Sequence, residues 1–150
     1  MKHITFYLDF ISPYAYLAFE ELPRALMGQS YSVTYKPILF AALLKHHGQL
    51  GPAEIPAKRD WTYRQVSWLA HSLGVDFQMP AAHPFNPLGL LRLAVAAGLG
   101  GADPALQPGA CNRFVVETLF HHVWRGGADA ADTGRLAAVT AMLAPGRDVN

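Results

Sequence analysis

Apolar and polar positions change period twice near the N-terminus. Ile4 to Phe10 is rich in β-branched and aromatic residues, with one charge, Asp9, near its end, and predicts a buried strand. Ser12 is a preferred helix N-cap and Pro13 suits the first helical position. Tyr14, Leu17 and Ala18 then begin an apolar stripe, so a helix starts there. Pro23 is expected to kink or divide that helix before Gly28. Tyr31, Val33 and Tyr35 alternate, predicting a second strand over Tyr31 to Lys36 that Pro37 closes. Strand, helix and strand suggest a parallel, right-handed βαβ unit.

From Leu39 onward the spacing is helical. Leu39 to His47 predicts a short helix ended by Gly48, and the Gly- and Pro-containing stretch up to Pro56 predicts a loop. Ala57 to Leu73 predicts a longer amphipathic helix with Trp61, Trp68 and Leu69 on or near one face and Gly74 as its stop. Asn86 before Pro87 repeats the cap-plus-proline signal, and Leu88, Leu91 and Val95 follow at helical spacing. Gly98 to Pro108 reads as a loop, with helices after it from about Gly109 to Arg125 and from Asp132 to Leu143. The result is an α/β chain in which a βαβ start carries a helical bundle.

Composition fits one globular domain, since 150 residues that are 51% apolar can bury a real core. The net charge is +1 and the basic residues are scattered, which points to neither a nucleic-acid patch nor a membrane-surface helix. Asp9 and Pro13 interrupt the N-terminal apolar run, so it is not a secretory signal, and no window has transmembrane length. Cys111 is a single cysteine and cannot form an internal disulfide; a cytoplasmic protein is expected.

Candidate chemistry centres on Ser12, where strand meets helix. Free backbone N–H groups and the positive end of the helix dipole favour an anion or a thiolate there, the alternative being a plain capping serine. A strand, a reactive residue at the N-cap and a helix open the thioredoxin fold, in which a Cys-x-x-Cys stands where this chain has Ser12 and Ala15. Neither is cysteine, which excludes dithiol redox chemistry at that position. Tyr7-Leu8-Asp9-Phe10-Ile11-Ser12-Pro13-Tyr14-Ala15-Tyr16-Leu17-Ala18 resembles the opening of the 2-hydroxychromene-2-carboxylate isomerases, the glutathione-dependent branch of the DsbA-like superfamily that also holds the kappa-class glutathione transferases. The likeness continues in Lys36-Pro37-Ile38-Leu39-Phe40, in Ile55-Pro56-Ala57-Lys58-Arg59-Asp60, and in Phe85-Asn86-Pro87-Leu88 with Leu91-Arg92.

That resemblance implies a thioredoxin-like (DsbA-like) domain with a βαβ half over 1–38 and a helical insertion over 39–150. The family's C-terminal strands, cis-proline loop and closing helix have no counterpart up to Asn150, so weak glutathione binding is expected. It implies glutathione as cofactor, with Ser12 assisting its thiol and Gln49 and Lys58 near it. The thiolate adds to a conjugated carbon, rotation follows, and elimination gives the other isomer of a small aromatic carboxylate. Lys45, Phe85 and Asn86 match substrate positions, and a homodimer is common in the family. A kappa-like transferase and a non-catalytic remnant are the alternatives. Residue by residue the plainer readings also stand: solvated surface charges for Lys45 and Lys58, an N-cap for Asn86, and an ion-pair partner for Arg92. Tyr14, Tyr16 and Trp61 read as core, and Cys111 as a buried inert thiol inside a helix. His46-His47 and His121-His122 are adjacent on helices and diverge by about 100°, a poor arrangement for a metal.

Overall fold

The two N-terminal strands pair in parallel, as the strand–helix–strand order predicts. The structure, a computed structural model, describes residues 1–100, 106–144 and 146. Strand β1 (Lys2–Leu8) lies beside β2 (Tyr31–Pro37), Ile4 opposite Val33 and Phe6 opposite Tyr35, with helix α1 (Pro13–Ala25) joining them. β1 stops at Leu8 and does not extend to Phe10. The Asp9 carboxylate accepts from Ile11 N–H at 3.2 Å and the Asp9 carbonyl from Ser12 N–H at 3.1 Å, which bends the chain into α1. Pro23 neither divides nor ends α1. It stands in the last turns, where its missing donor costs a single bond and Leu26 N–H still reaches the Leu22 carbonyl at 3.1 Å.

The five remaining helices follow the expected order with shifted ends. Helix α2 (Phe40–His46) leads through a 3-10 turn (Pro52–Glu54) to α3 (Pro56–Leu73), which Gly74 closes in the left-handed conformation at φ +68°. Helix α4 (Leu88–Gly100) runs through Gly98, where a loop is expected from the sequence. A β-carbon there would lie 2.1 Å from the Ala110 carbonyl oxygen, so this glycine serves close packing and not chain reversal. The rest of the expected 98–108 loop includes residues 101–105, which lie outside the described residues, as do 145 and 147–150 of the expected C-terminal turn. Helix α5 (Arg113–Trp124) begins after Cys111, not at Gly109. Cys111 N–H donates to the Tyr35 carbonyl at 3.1 Å in an antiparallel bridge to β2, and Asn112 caps the helix by accepting from Val115 N–H at 2.9 Å. Cys111 is thus buried as expected, but ahead of the helix instead of within it. Helix α6 (Thr133–Leu143) is capped by Asp132, which accepts from Arg135 N–H at 2.8 Å. No helix among the described residues is long and apolar enough to cross a membrane.

The core is an aromatic cluster between α1 and α5. Phe10, Tyr16, Phe19, Phe120 and Trp124 are fully buried; the Phe10 and Phe120 rings meet edge to face at 5.1 Å, and Phe77 stacks on Trp124 at 5.6 Å. Helix α3 departs from expectation. It buries Val66 and Ala70, four residues apart, and leaves Trp61 and Trp68 60% and 65% exposed, so Trp61 is not core. Tyr14, also expected in the core, is exposed, and Arg92 is exposed on α4. Phe120→Ala should therefore destabilise the chain by about 3–5 kcal/mol in urea unfolding, whereas Trp68→Ala should stay within about 0.5 kcal/mol.

Candidate active site

Ser12 sits half-buried at the N-terminus of α1, where backbone donors and the helix dipole converge. Its Oγ accepts from Ala15 N–H at 3.2 Å, and its carbonyl accepts from Tyr16 N–H at 3.2 Å. The cap uses Oγ as an acceptor and leaves the hydroxyl hydrogen free to donate. Pro13 has no N–H and Tyr14 N–H has no partner among the described residues, so this terminus offers a backbone donor beside the hydroxyl. A thiolate or other anion is the species such a pair of donors stabilises.

A cavity of about 680 Å³ opens on this terminus. Ile11, Ser12 and Tyr14 form one wall, α2 supplies Phe40, Leu44 and Lys45, and residues 49–54 form the rim. Tyr63 from α3 and His83, Pro84 and Phe85 from the following connection form the far side. The size and the mainly apolar lining with a few polar groups suit a small organic molecule. Lys45 is exposed at the rim, on the last turn of α2. Glu54 faces the cavity too, but its carboxylate already accepts from Gly51 N–H at 2.7 Å.

Of the six residues singled out in the sequence, the fold brings Ser12, Lys45, Gln49 and Phe85 to this cavity. Lys58 is exposed on the first turn of α3, outside the lining. Asn86 is also outside it; its side-chain oxygen accepts from Leu88 N–H at 3.0 Å, the local role of a cap.

Four residues that the sequence reading did not assign to the site hold it in place. Asp9 is 3% exposed; one carboxylate oxygen takes Ile11 N–H and the other takes Phe40 N–H at 2.9 Å, so it ties the Ser12 turn to the start of α2. Its signal was present, a lone charge in an apolar strand. His83 and Tyr63 bond to each other, and His83 also bonds to the Ile11 carbonyl; the two residues are twenty apart in sequence, with no local pattern to mark them. Tyr14 hydroxyl donates to the Gln65 side chain and so fixes a further part of the wall against α3. Burial raises the Asp9 carboxyl above its ordinary value, against the opposing pull of the Phe40, Ile11 and Phe10 backbone donors. Burial lowers the His83 imidazole, with the Ile11 carbonyl pulling the other way.

The DsbA-like thioredoxin domain family matches residues 3–144. Glutathione S-transferase kappa 2 of Caenorhabditis elegans is 31% identical over 80 residues, which are 53% of this chain and 36% of that protein. The 2-hydroxychromene-2-carboxylate isomerase of Sphingobium xenophagum is 27% identical over 137 residues, 90% of this chain and 65% of that one. A solved structure of a 2-hydroxychromene-2-carboxylate isomerase superposes with a TM-score of 0.69 at 23% identity, covering 97% of this chain and 67% of its own. The chain thus spans between about a third and two thirds of the length of these curated relatives.

A raised carboxyl favours the protonated form in the folded state. The stability Asp9 contributes is then present below its ordinary value of 3.8 and lost as the pH rises through the higher folded value. Asp9→Asn cannot ionise. The unfolding free energy of the unmutated chain minus that of the variant should fall as urea titrations move from pH 3.8 upward, and a difference that stays flat or rises would remove the buried charge from the account.

Proposed function

Because the chain belongs to the DsbA-like thioredoxin domain family and is similar to kappa-class glutathione transferases and to 2-hydroxychromene-2-carboxylate isomerases, we propose that it acts as a glutathione-dependent cis–trans isomerase of small aromatic carboxylates. The observation that carries this reading is the Ser12 hydroxyl, with its hydrogen free, at a helix N-terminus that opens on a 680 Å³ cavity.

The chemistry follows from those groups. A free thiol is mostly protonated at neutral pH, and the Ser12 hydroxyl together with the α1 terminus stabilises the thiolate, which shifts the ionisation towards the nucleophile. The thiolate adds to a conjugated carbon of the substrate, the former double bond rotates, and loss of the thiol restores unsaturation in the other geometry. Lys45 at the rim faces the substrate carboxylate, Phe85 packs on its ring, and the Gln49 amide meets the peptide of glutathione. Lys58 and Asn86 carry no part of this reading, because neither borders the cavity. A transferase that keeps the glutathione adduct is the second reading, favoured by the kappa-class relatives at 31% and 36% identity.

Ser12→Ala tests the proposal. Loss of a hydrogen bond to a charged sulfur, at about 1.5–3 kcal/mol, should lower kcat/KM of isomerisation by about ten- to a hundredfold, while loss of the cap costs the fold only about 1 kcal/mol. The assay follows substrate and product absorbance with glutathione at millimolar concentration, beside thiolate absorbance of the bound tripeptide. Undiminished turnover in the variant removes Ser12 from the mechanism. A stable glutathione adduct in place of the isomer selects the transferase reading.

A further inference from the structure

His83 is held at both ring nitrogens beside the cavity. Its Nε2 lies 2.8 Å from the Ile11 carbonyl oxygen, which can only accept, so Nε2 carries the hydrogen and donates it. Its Nδ1 lies 2.7 Å from the Tyr63 hydroxyl, and that hydroxyl is also 2.9 Å from the His83 carbonyl oxygen. Trp124 and Phe85 flank the imidazole, with ring centres at 5.4 and 6.1 Å. The ring is therefore fixed in position, orientation and tautomer.

The group it grips matters more than the grip itself. The Ile11 carbonyl and the Ser12 N–H belong to one planar peptide. His83 holds the oxygen end of that plane, while the Asp9 carbonyl holds the N–H end at 3.1 Å. With both ends tied, the plane cannot rotate, and the Ser12 side chain it carries keeps the direction in which Oγ meets Ala15 N–H. We propose that His83, braced by Tyr63, is a positioning residue that sets the Ser12 hydroxyl for its work on the thiol; the proposal rests on the glutathione reading. His83 acts through the peptide. Without it the Ile11 carbonyl turns to water, and Ser12 samples orientations in which its hydrogen misses the sulfur, an error that costs rate more than affinity.

Nitrogen-15 NMR of the unmutated chain should show neutral His83 with the hydrogen on Nε2; hydrogen on Nδ1 would overturn the proposal. His83→Ala should speed hydrogen exchange at Ala15 N–H by about tenfold, the loss of roughly one hydrogen bond. His83→Gln, whose side-chain amide reaches towards the Ile11 carbonyl, should restore most of the protection. If the alanine variant does not fold, Tyr63→Phe, which removes one hydroxyl, should speed Ala15 exchange by a smaller factor. Unchanged exchange in the folded variants overturns the proposal. In the isomerase assay His83→Ala should lower kcat by about tenfold and leave KM for glutathione within about twofold, with Gln recovering kcat; a change confined to KM also overturns it. If the unmutated chain shows no glutathione binding, the glutathione reading fails, and His83 as a positioning residue for Ser12 then stands or falls on the exchange of Ala15. Normal binding with unaltered exchange sinks the His83 proposal alone.

Discussion

A backbone amide or carbonyl taken out of water must find a partner, and the turn from β1 into α1 takes several out at once. The Phe10 carbonyl accepts from the Trp124 indole at 3.0 Å, the Ile11 N–H goes to Asp9, and the Ile11 carbonyl goes to His83. These partners come from α5, from the end of β1 and from the connection ahead of α4. The helices after β2 are thus what allows the junction to be buried at all, and the same contacts leave Ser12 as the half-exposed point of an otherwise tied turn. The far side of α1 is pinned as well. Glu20 meets His121 at 2.7 Å, and the Arg125 guanidinium donates to the Tyr16 hydroxyl at 3.2 Å, while that hydroxyl donates to the Asp76 carbonyl at 2.5 Å. Helix α1 is held between its cap and this network as a rigid support.

Burial sets Cys111 apart from Ser12. Cys111 lies in the bridge to β2, and burial pushes its thiol up to about 12. It remains a small apolar side chain at neutral pH.

Much of this was legible in the sequence, and the rest was not for identifiable reasons. The β-branched and aromatic run from Ile4 and the alternation of Tyr31, Val33 and Tyr35 marked the strands, and Ser12 with Pro13 marked the helix start, because each signal lies within a few residues. The errors came from partners distant in sequence. Gly98 looked like a breaker until the Ala110 carbonyl was found against it, and the start of α5 was misplaced because Cys111 is drawn into a bridge with Tyr35. Trp61 and Trp68 misled because size suggests burial, whereas the side of α3 that meets the core is set by Val66 and Ala70. At the site, Ser12, Lys45, Gln49 and Phe85 converge on the cavity, but Tyr63 and His83, which steady it, carry no motif.

Helix α2 has one further consequence. It supplies Phe40, Leu44 and Lys45 to the cavity, yet none of its residues is buried and its first amide is held by Asp9. The wall that decides which molecules fit is therefore nearly independent of the core that decides whether the chain folds. Substitutions along α2 can change the shape and charge of the cavity at little cost in stability, so mutations that folding does not select against can alter which molecules fit it.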